Sequence, residues 1–269
     1  MIIDITPPQN DPPPGYAYSI ATLVNDDAQL DAMRQSFRMH GFGGTDVEFL
    51  AARRATSAFT ALNAMIDRAR GDIVILCHQD VRLVDDGRAE LEARLAELAR
   101  LDPAWALAGN AGGEAAGRLA IRISDPHGSD RRVGELPARV MSLDENFLVL
   151  RRNSGARFSR NLDGFHLYGA DICLVADVLG WSAWVIDFHL RHLSPGRKDA
   201  SFVEAEHRFR AKWSRALRPR WMQTPCTLLR ISGGAGGRSL ARLGEGAVRR
   251  IARRLPRAAG WTQPPATSG

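Results

Sequence analysis

The sequence predicts an α/β protein with a Rossmann-like, mostly parallel sheet in its first half and a mixed second half. Two observations carry that expectation. Between residues 18 and 108, short apolar runs rich in β-branched residues alternate with amphipathic stretches of helical period, and a β-α-β-α-β-α-β order implies a parallel, right-handed wound sheet. After residue 117 two strand-like runs follow one another with no helix between them, which a purely parallel sheet does not allow. With 269 residues, 45% of them apolar, the chain can bury a sizeable core. We expect one main domain over residues 18–230, between an extended lead-in at 1–17 and a basic Arg/Gly-rich tail at 231–269.

Each element has a local reason. Residues 7–15 (PPQNDPPPG) are too proline-rich for a helix or a central strand. Tyr18–Val24 reads as the first strand, ending at Asn25-Asp26-Asp27, where Asp26 or Asp27 can cap a helix that continues through Met33 and Phe37. A glycine-rich turn at 41–44 closes that helix. Residues 47–50 read as a second strand, and 57–70 as a second helix with Phe59, Leu62, Met65 and Ile66 on one side. The run Ile73–Cys77, bounded by Gly71-Asp72, reads as a short strand buried on both faces. A helix at 86–101 and a strand at 105–108 follow. Residues 109–117 hold four glycines and read as a loop. Residues 119–123 and 140–150 then read as strands, 163–179 as a loop and helix, 183–188 as a strand and 199–213 as an amphipathic helix.

The net charge of +6 would point to nucleic acid if it were spread over the fold, and it is not. Residues 231–269 hold seven arginines against one acid, Glu245, so the rest of the chain carries no net charge. Within that tail Arg249, Arg250, Arg253, Arg254 and Arg257 lie beside Val248, Ile251 and Leu255, a basic amphipathic pattern suited to anionic lipid, whereas the neighbouring glycines and Pro256 favour a solvated tail. Cys77, Cys173 and Cys226 are odd in number and unevenly spaced, which favours buried free thiols and a reducing compartment. No basic-then-apolar leader and no run of roughly 18 apolar residues is present. The expectation is a cytoplasmic protein, with peripheral contact at the inner face of a membrane through the tail as its one membrane option.

The central run ends on His78-Gln79-Asp80. A buried strand that stops on an imidazole and a carboxylate two positions apart delivers both at the C-terminal edge of the sheet, where open α/β sheets bind ligands. That spacing suits a divalent cation; it is equally the composition of a polar turn.

Three further segments, SLDENFLVLRR (142–152), GFHLYGADICL (164–174) and DFHLRHLSPG (187–196), join ALNAMIDRARGDIVILCHQDV in a familiar order. Over residues 18–196 the chain resembles the GT-A-fold glycosyltransferases of the family 2 type. The resemblance is strongest to the branch whose strand-end motif is HQD, which includes the streptomycin-biosynthesis StrF-like domain. It implies a nucleotide-diphosphate-sugar donor, an acceptor hydroxyl, single displacement with inversion, and a divalent metal, Mn²⁺ or Mg²⁺, bridging the donor's phosphates. By that resemblance Asp80 matches the metal-binding carboxylate, His78 stands where the commoner motif has its first Asp, and His192, in an H-x-S-x-G match, completes the site in preference to His189. Gln79 belongs to the same motif. Asp171 is the acid nearest the family's catalytic base, with a helix-capping role as its alternative; the Glu-Asp pair usual there falls on Tyr168-Gly169. Asp144, Glu145 and Asp163 are the other candidate bases, and Asp144 and Glu145, adjacent on a strand, should face opposite ways. Asn25 and Asp26 at the first strand end and Asn63 before the central strand match nucleotide-binding positions. The second strand end, at Arg53, lacks the acid commonly found there, so the resemblance assigns no base. The competing expectations are a nucleotide-sugar-binding protein that has lost transfer activity and, less favoured, a nucleic-acid-associated module acting through the tail.

Overall fold

The computed structural model describes residues 15–196, 199–223, 225 and 228–231. The elements, in chain order, are β1 (Tyr18–Val24), α1 (Asp27–Phe37), β2 (Val47–Arg53), α2 (Ala58–Arg68), β3 (Ile73–Cys77), β4 (Val81–Leu83), α3 (Arg88–Leu101), β5 (Trp105–Gly109), β6 (Ala111–Ala115), β7 (Arg118–Asp125), β8 (Gly128–Val133), β9 (Ala138–Val140), β10 (Ser142–Leu143), β11 (Phe147–Arg151), α4 (Tyr168–Val178), β12 (Ser182–Val185), β13 (Leu190–His192), α5 (Ala200–Leu217), β14 (Arg220–Gln223) and β15 (Leu228–Ile231). Two units are distinguished, Met1–Phe209 and Arg210–Gly269. In the second, β14 and β15 pair antiparallel. Most of the proline-rich lead-in, the arginine tail after Ile231, and Cys226 lie outside the described residues. Among those residues no helix is long and apolar enough to cross a membrane.

The first unit holds a seven-stranded sheet in the order β2-β1-β3-β11-β5-β12-β9. β1, β2 and β3 are parallel neighbours, as the first half of the sequence predicts. β5 does not extend that run directly. β11 inserts between β3 and β5, antiparallel to both, so the sheet is mixed from its centre onward. Side chains alternate across it: Ile75 and Cys77 of β3 join Leu30, Met33 and Phe37 of α1 and Leu91, Leu95 and Leu98 of α3, whereas Val74 and Leu76 join Phe59, Leu62 and Met65 of α2 and Ile172 of α4. Helices thus cover both faces, which is why the central strand reads as a continuous apolar run. Each fully buried Ile or Leu there contributes about 1.5–3 kcal/mol of transfer free energy.

A second sheet, β10-β6-β7-β13-β4 with β8 on β7, was not expected. Two corrections follow from it. Residues 109–117 are not a loop; they contain β6, which pairs with β7 and β10. Glycine is used there for close packing: a Cβ on Gly112 would stand 2.3 Å from Ser142 O and 3.1 Å from Val185 Cγ2. Residues 140–150 are not one strand either. They divide among β9, β10 and β11, and the polar group Asp144-Glu145-Asn146 forms the turn before β11.

Gly112→Ala should therefore destabilise the protein by about 1–3 kcal/mol, the usual range for forcing extra volume into a packed site. Urea denaturation checks this, and an unchanged midpoint would restore the loop reading.

Candidate metal centre

The site is assembled by strand register. β3 ends at Cys77, the chain turns through residues 78–80, and β4 begins at Val81. β13 then pairs antiparallel to β4 with His192 opposite Val81, and the ladder continues as Leu193 N–H donates to Asp80 O at 3.1 Å. On the other side the β3–β11 ladder continues past Cys77, with His78 N–H donating to Asn146 O at 3.0 Å. These two ladders bring His192 and the 144–146 turn to the His78–Asp80 corner.

His78, Asp80 and His192 each offer one ligand atom, and the three atoms lie within 4.8 Å of one another. His78 Nδ1 is 3.2 Å from His192 Nε2, which is 3.3 Å from Asp80 Oδ1. Tyr168 orients the first imidazole, its hydroxyl oxygen lying 2.9 Å from His78 Nε2 and 3.3 Å from Glu145 O. With the Tyr168 proton donated to that carbonyl, His78 donates from Nε2 and turns the Nδ1 lone pair inward. This is the tautomer a metal ligand needs. The charges agree. Burial pushes the Asp80 carboxyl up, but hydrogen bonds from His192 and Ser194 and the imidazole charges hold it well below the usual carboxylate range. Burial and the neighbouring His192 push His78 down, toward the neutral form that ligates. Two imidazoles and a carboxylate fit a divalent transition metal.

Beside this cluster opens a cavity of about 760 Å³ lined by Leu23, Val24, Asn25, Asp27, Arg53, Arg54, Ala55, His78, Gln79, Asp80, Phe165 and Tyr168. Gln79 ties the strand ends together: its Oε1 accepts from the Asn25 and Asp26 amides at 3.0 and 3.1 Å, and its Nε2 donates to Asn25 Oδ1. Asp26 does not line the cavity. It caps α1, accepting from the Ala28 and Gln29 amides at 2.9 and 3.2 Å.

Other expected site residues lie elsewhere. Asn63 makes a two-way bond with the Phe158 backbone, donating to Phe158 O at 2.8 Å and accepting from its amide at 2.9 Å, and is not among the cavity residues. Asp171 has no exposed surface; its two oxygens accept from Ser159 N and Ser159 Oγ, each at 2.7 Å. That carboxylate ties the loop before α4 to the helix. His189 is also engaged away from the cluster, with Nε2 2.8 Å from Ser124 Oγ and Nδ1 3.0 Å from Asp85 Oδ2. Asp163 is held by the Gly164 amide at 2.8 Å.

The 144–146 turn carries two further acids. Asp144 is exposed, while half-buried Glu145 accepts from Gly169 N–H at 3.2 Å, at the first turn of α4. Position 169 must be glycine for this, because a Cβ there would stand 3.1 Å from Glu145 Cγ and 2.3 Å from Leu143 O. Burial, reinforced by Asp144 and opposed by that amide, pushes the Glu145 carboxyl up to about 8. Sequence reasoning missed Tyr168 and Glu145 as a unit. The available signal was Tyr168-Gly169 itself, standing where the resemblance places two acids.

A protein from Fuscovulum blasticum, "ATP synthase subunits region ORF 6", is 39% identical over 232 residues, covering 81% of this chain and 91% of its own length. The chain belongs to the family of this ORF 6 protein. The name states no activity for the ORF 6 family, and no protein-family model matches the chain. Among solved structures, a Pyrobaculum calidifontis mannosyltransferase in complex with GDP-Man and Mn²⁺ is similar over 76% of this chain and 66% of its own, at 12% identity and a TM-score of 0.49. GalNAc-T7 with UDP, GalNAc and Mn²⁺ is similar over 67% of this chain and 44% of its own, at 10% identity and a TM-score of 0.47. A197 from STIV is similar over 65% of this chain and 84% of its own, at 13% identity and a TM-score of 0.42.

The raised Glu145 carboxyl has a sign. A folded-state value of about 8, above the usual 4.5, stabilises the fold below the unfolded value and loses that contribution as pH rises toward 8. Without added metal, Glu145→Gln should raise Tm relative to wild type more at pH 8 than at pH 5, by about 2–4 °C for each kcal/mol relieved. Differential scanning fluorimetry at the two pH values checks this, and an equal offset at both would assign Glu145 an ordinary carboxyl.

Proposed function

We propose that this chain is a metal-dependent glycosyltransferase of GT-A type that moves a sugar from a nucleotide-diphosphate donor to an acceptor hydroxyl, by single displacement with inversion. One observation carries the reading: two imidazole nitrogens and a carboxylate oxygen converge where β3 ends, and two of the three residues, His78 and Asp80, line a cavity of about 760 Å³. Such a volume suits a nucleotide-sized ligand. A divalent ion held by His78, Asp80 and His192 would neutralise charge building on the departing diphosphate, and this donor set suits Mn²⁺ better than Mg²⁺. The residues do the rest. Tyr168 fixes the His78 ring, Gln79 locks the first strand end against the metal corner, and Asn25 faces the donor from that end. The proton of the attacking hydroxyl passes to a carboxylate, a role we give to Glu145, held on the Gly169 amide and, with its carboxyl pushed up to about 8, able to take that proton as pH approaches 8. A second reading, a donor-binding protein without transfer, is favoured by one observation: Tyr168-Gly169 replaces the acid pair of the resembling family.

Asp80→Ala should abolish Mn²⁺-dependent thermal stabilisation by UDP or GDP while leaving the ligand-free Tm near that of wild type. Retained stabilisation would remove Asp80 from the metal site. A panel of nucleotide-sugars screened the same way identifies the donor, and release of free sugar or transfer from it decides between enzyme and binding protein.

With that donor, Glu145→Gln should leave binding unchanged and slow turnover by roughly 10²- to 10⁴-fold, the range for lost general-base help. Asp171→Asn should instead lower Tm and keep turnover of the folded fraction near normal. Steady-state kinetics of the pair check the assignment, and the reverse pattern would return the role to Asp171.

A further inference from the structure

The contacts that hold His189 away from the metal cluster form a relay of their own. Ser124, near the end of β7, has its Oγ 2.8 Å from His189 Nε2, and His189 Nδ1 lies 3.0 Å from Asp85 Oδ2. Three segments supply the three side chains: β7, the residue before β13, and the connection from β4 to α3. Ser124 and His189 are buried, and Asp85 is exposed. The carboxylate decides where the protons lie. Ionised Asp85 only accepts, so Nδ1 carries the ring proton, Nε2 keeps its lone pair, and the Ser124 hydroxyl donates to it. The Asp130 amide donates to the same oxygen at 2.8 Å, from a residue held in the left-handed region at φ 47°. That strain aims an amide at a hydroxyl, and Ser124 Oγ, accepting one such bond, retains a second lone pair.

Of the three residues Ser124 alone lines a cavity of about 290 Å³, which it shares with Arg191, its opposite number in the β7–β13 pairing. Asp125, on the same wall, is paired with Arg131 at 3.0 Å, whereas the Arg191 guanidinium has no partner among the described residues. We propose that Ser124, His189 and Asp85 form a second, hydrolytic site, distinct from the metal centre, that cleaves small esters bearing a carboxylate. Ser124 Oγ bonds to the ester carbonyl carbon as its proton passes to His189 Nε2; the ester C–O bond then breaks and the alcohol leaves with that proton. Water, deprotonated by His189, next releases the acid from Ser124, so that ester and water become acid and alcohol. Asp85 touches no reacting atom and is a positioning residue that holds the ring in the required tautomer. Arg191 pairs with the carboxylate of the substrate, which sets the substrate class.

The test treats the whole chain with diisopropyl fluorophosphate, maps the adduct by peptide mass spectrometry, and follows turnover of 4-nitrophenyl succinate and 4-nitrophenyl butyrate. EDTA is present and nucleotide absent, because His192 borders the same cavity and a bound ion there could hydrolyse esters by itself. The adduct should fall on Ser124 of the wild type, a result that does not depend on any variant folding. The succinate ester should show the lower KM, and Arg191→Gln should erase that preference. Ser124→Ala should abolish turnover, while Asp85→Asn should slow it by about 10- to 10⁴-fold and Asp85→Glu recover part of the loss. No adduct at Ser124, no ester turnover by the wild type, or turnover that survives Ser124→Ala overturns the hydrolytic site and leaves the relay a tie between three segments. Unchanged turnover in Asp85→Asn overturns the role of Asp85, and an unchanged preference in Arg191→Gln overturns the substrate class.

Discussion

The pairing register of β13 on β4 is the constraint on which the site depends. His192 stands opposite Val81, one residue past Asp80, because three ladder positions and the Leu193–Asp80 bond fix it there. A slip of one residue would place Arg191 opposite Val81 and turn His192 to the other face, since side chains alternate along a strand. What prevents the slip is burial: Leu190 is fully enclosed and Arg191 is exposed, so the pattern of the short strand admits one register. The chemistry at this corner is thus set by the packing of a leucine two residues away.

The parallel half of the fold was legible because its signals are local. β1 and β3 appear where apolar runs begin and end, and α1 starts after Asp26, whose carboxylate caps it. The second sheet was hidden because its strands are short and do not look like strands. β6 contains two adjacent glycines, and β4 and β13 are three residues long, formed by long-range pairing that no periodicity announces. In residues 140–150 the polar triplet Asp144-Glu145-Asn146, between Leu143 and Phe147, is itself a turn signal, which an unbroken-strand reading of the segment overrides.

At the site, residues whose polarity serves a ligand and residues whose polarity locks a loop look alike in one dimension. His78 and Asp80 sit at a strand end, and the fold leaves such positions open to a cavity. Asn63 and Asp171 lie on helices whose ends meet the loop over residues 156–163, and each satisfies buried backbone or hydroxyl groups there. Unpaired, those groups would each cost about 1–3 kcal/mol, a sufficient structural reason for both residues. Nothing in the local sequence of α4 distinguishes a carboxylate turned toward Ser159 from one turned toward a cleft; the difference lies in the path of a loop.

Tyr168 joins the core to the chemistry. Its ring packs edge-on against Phe158 and Phe59, with centroids 5.8 and 6.3 Å away, while its hydroxyl meets the His78 imidazole. The ring is buried and its hydroxyl is pushed well above the ordinary tyrosine value, first by burial and then by Glu145 and Asp144, so it stays a neutral hydrogen-bonding group across physiological pH. The rotational freedom of that imidazole is thereby surrendered when the polypeptide collapses. The aim of a side chain at the cavity wall is to that extent a property of the aromatic cluster that packs around Tyr168.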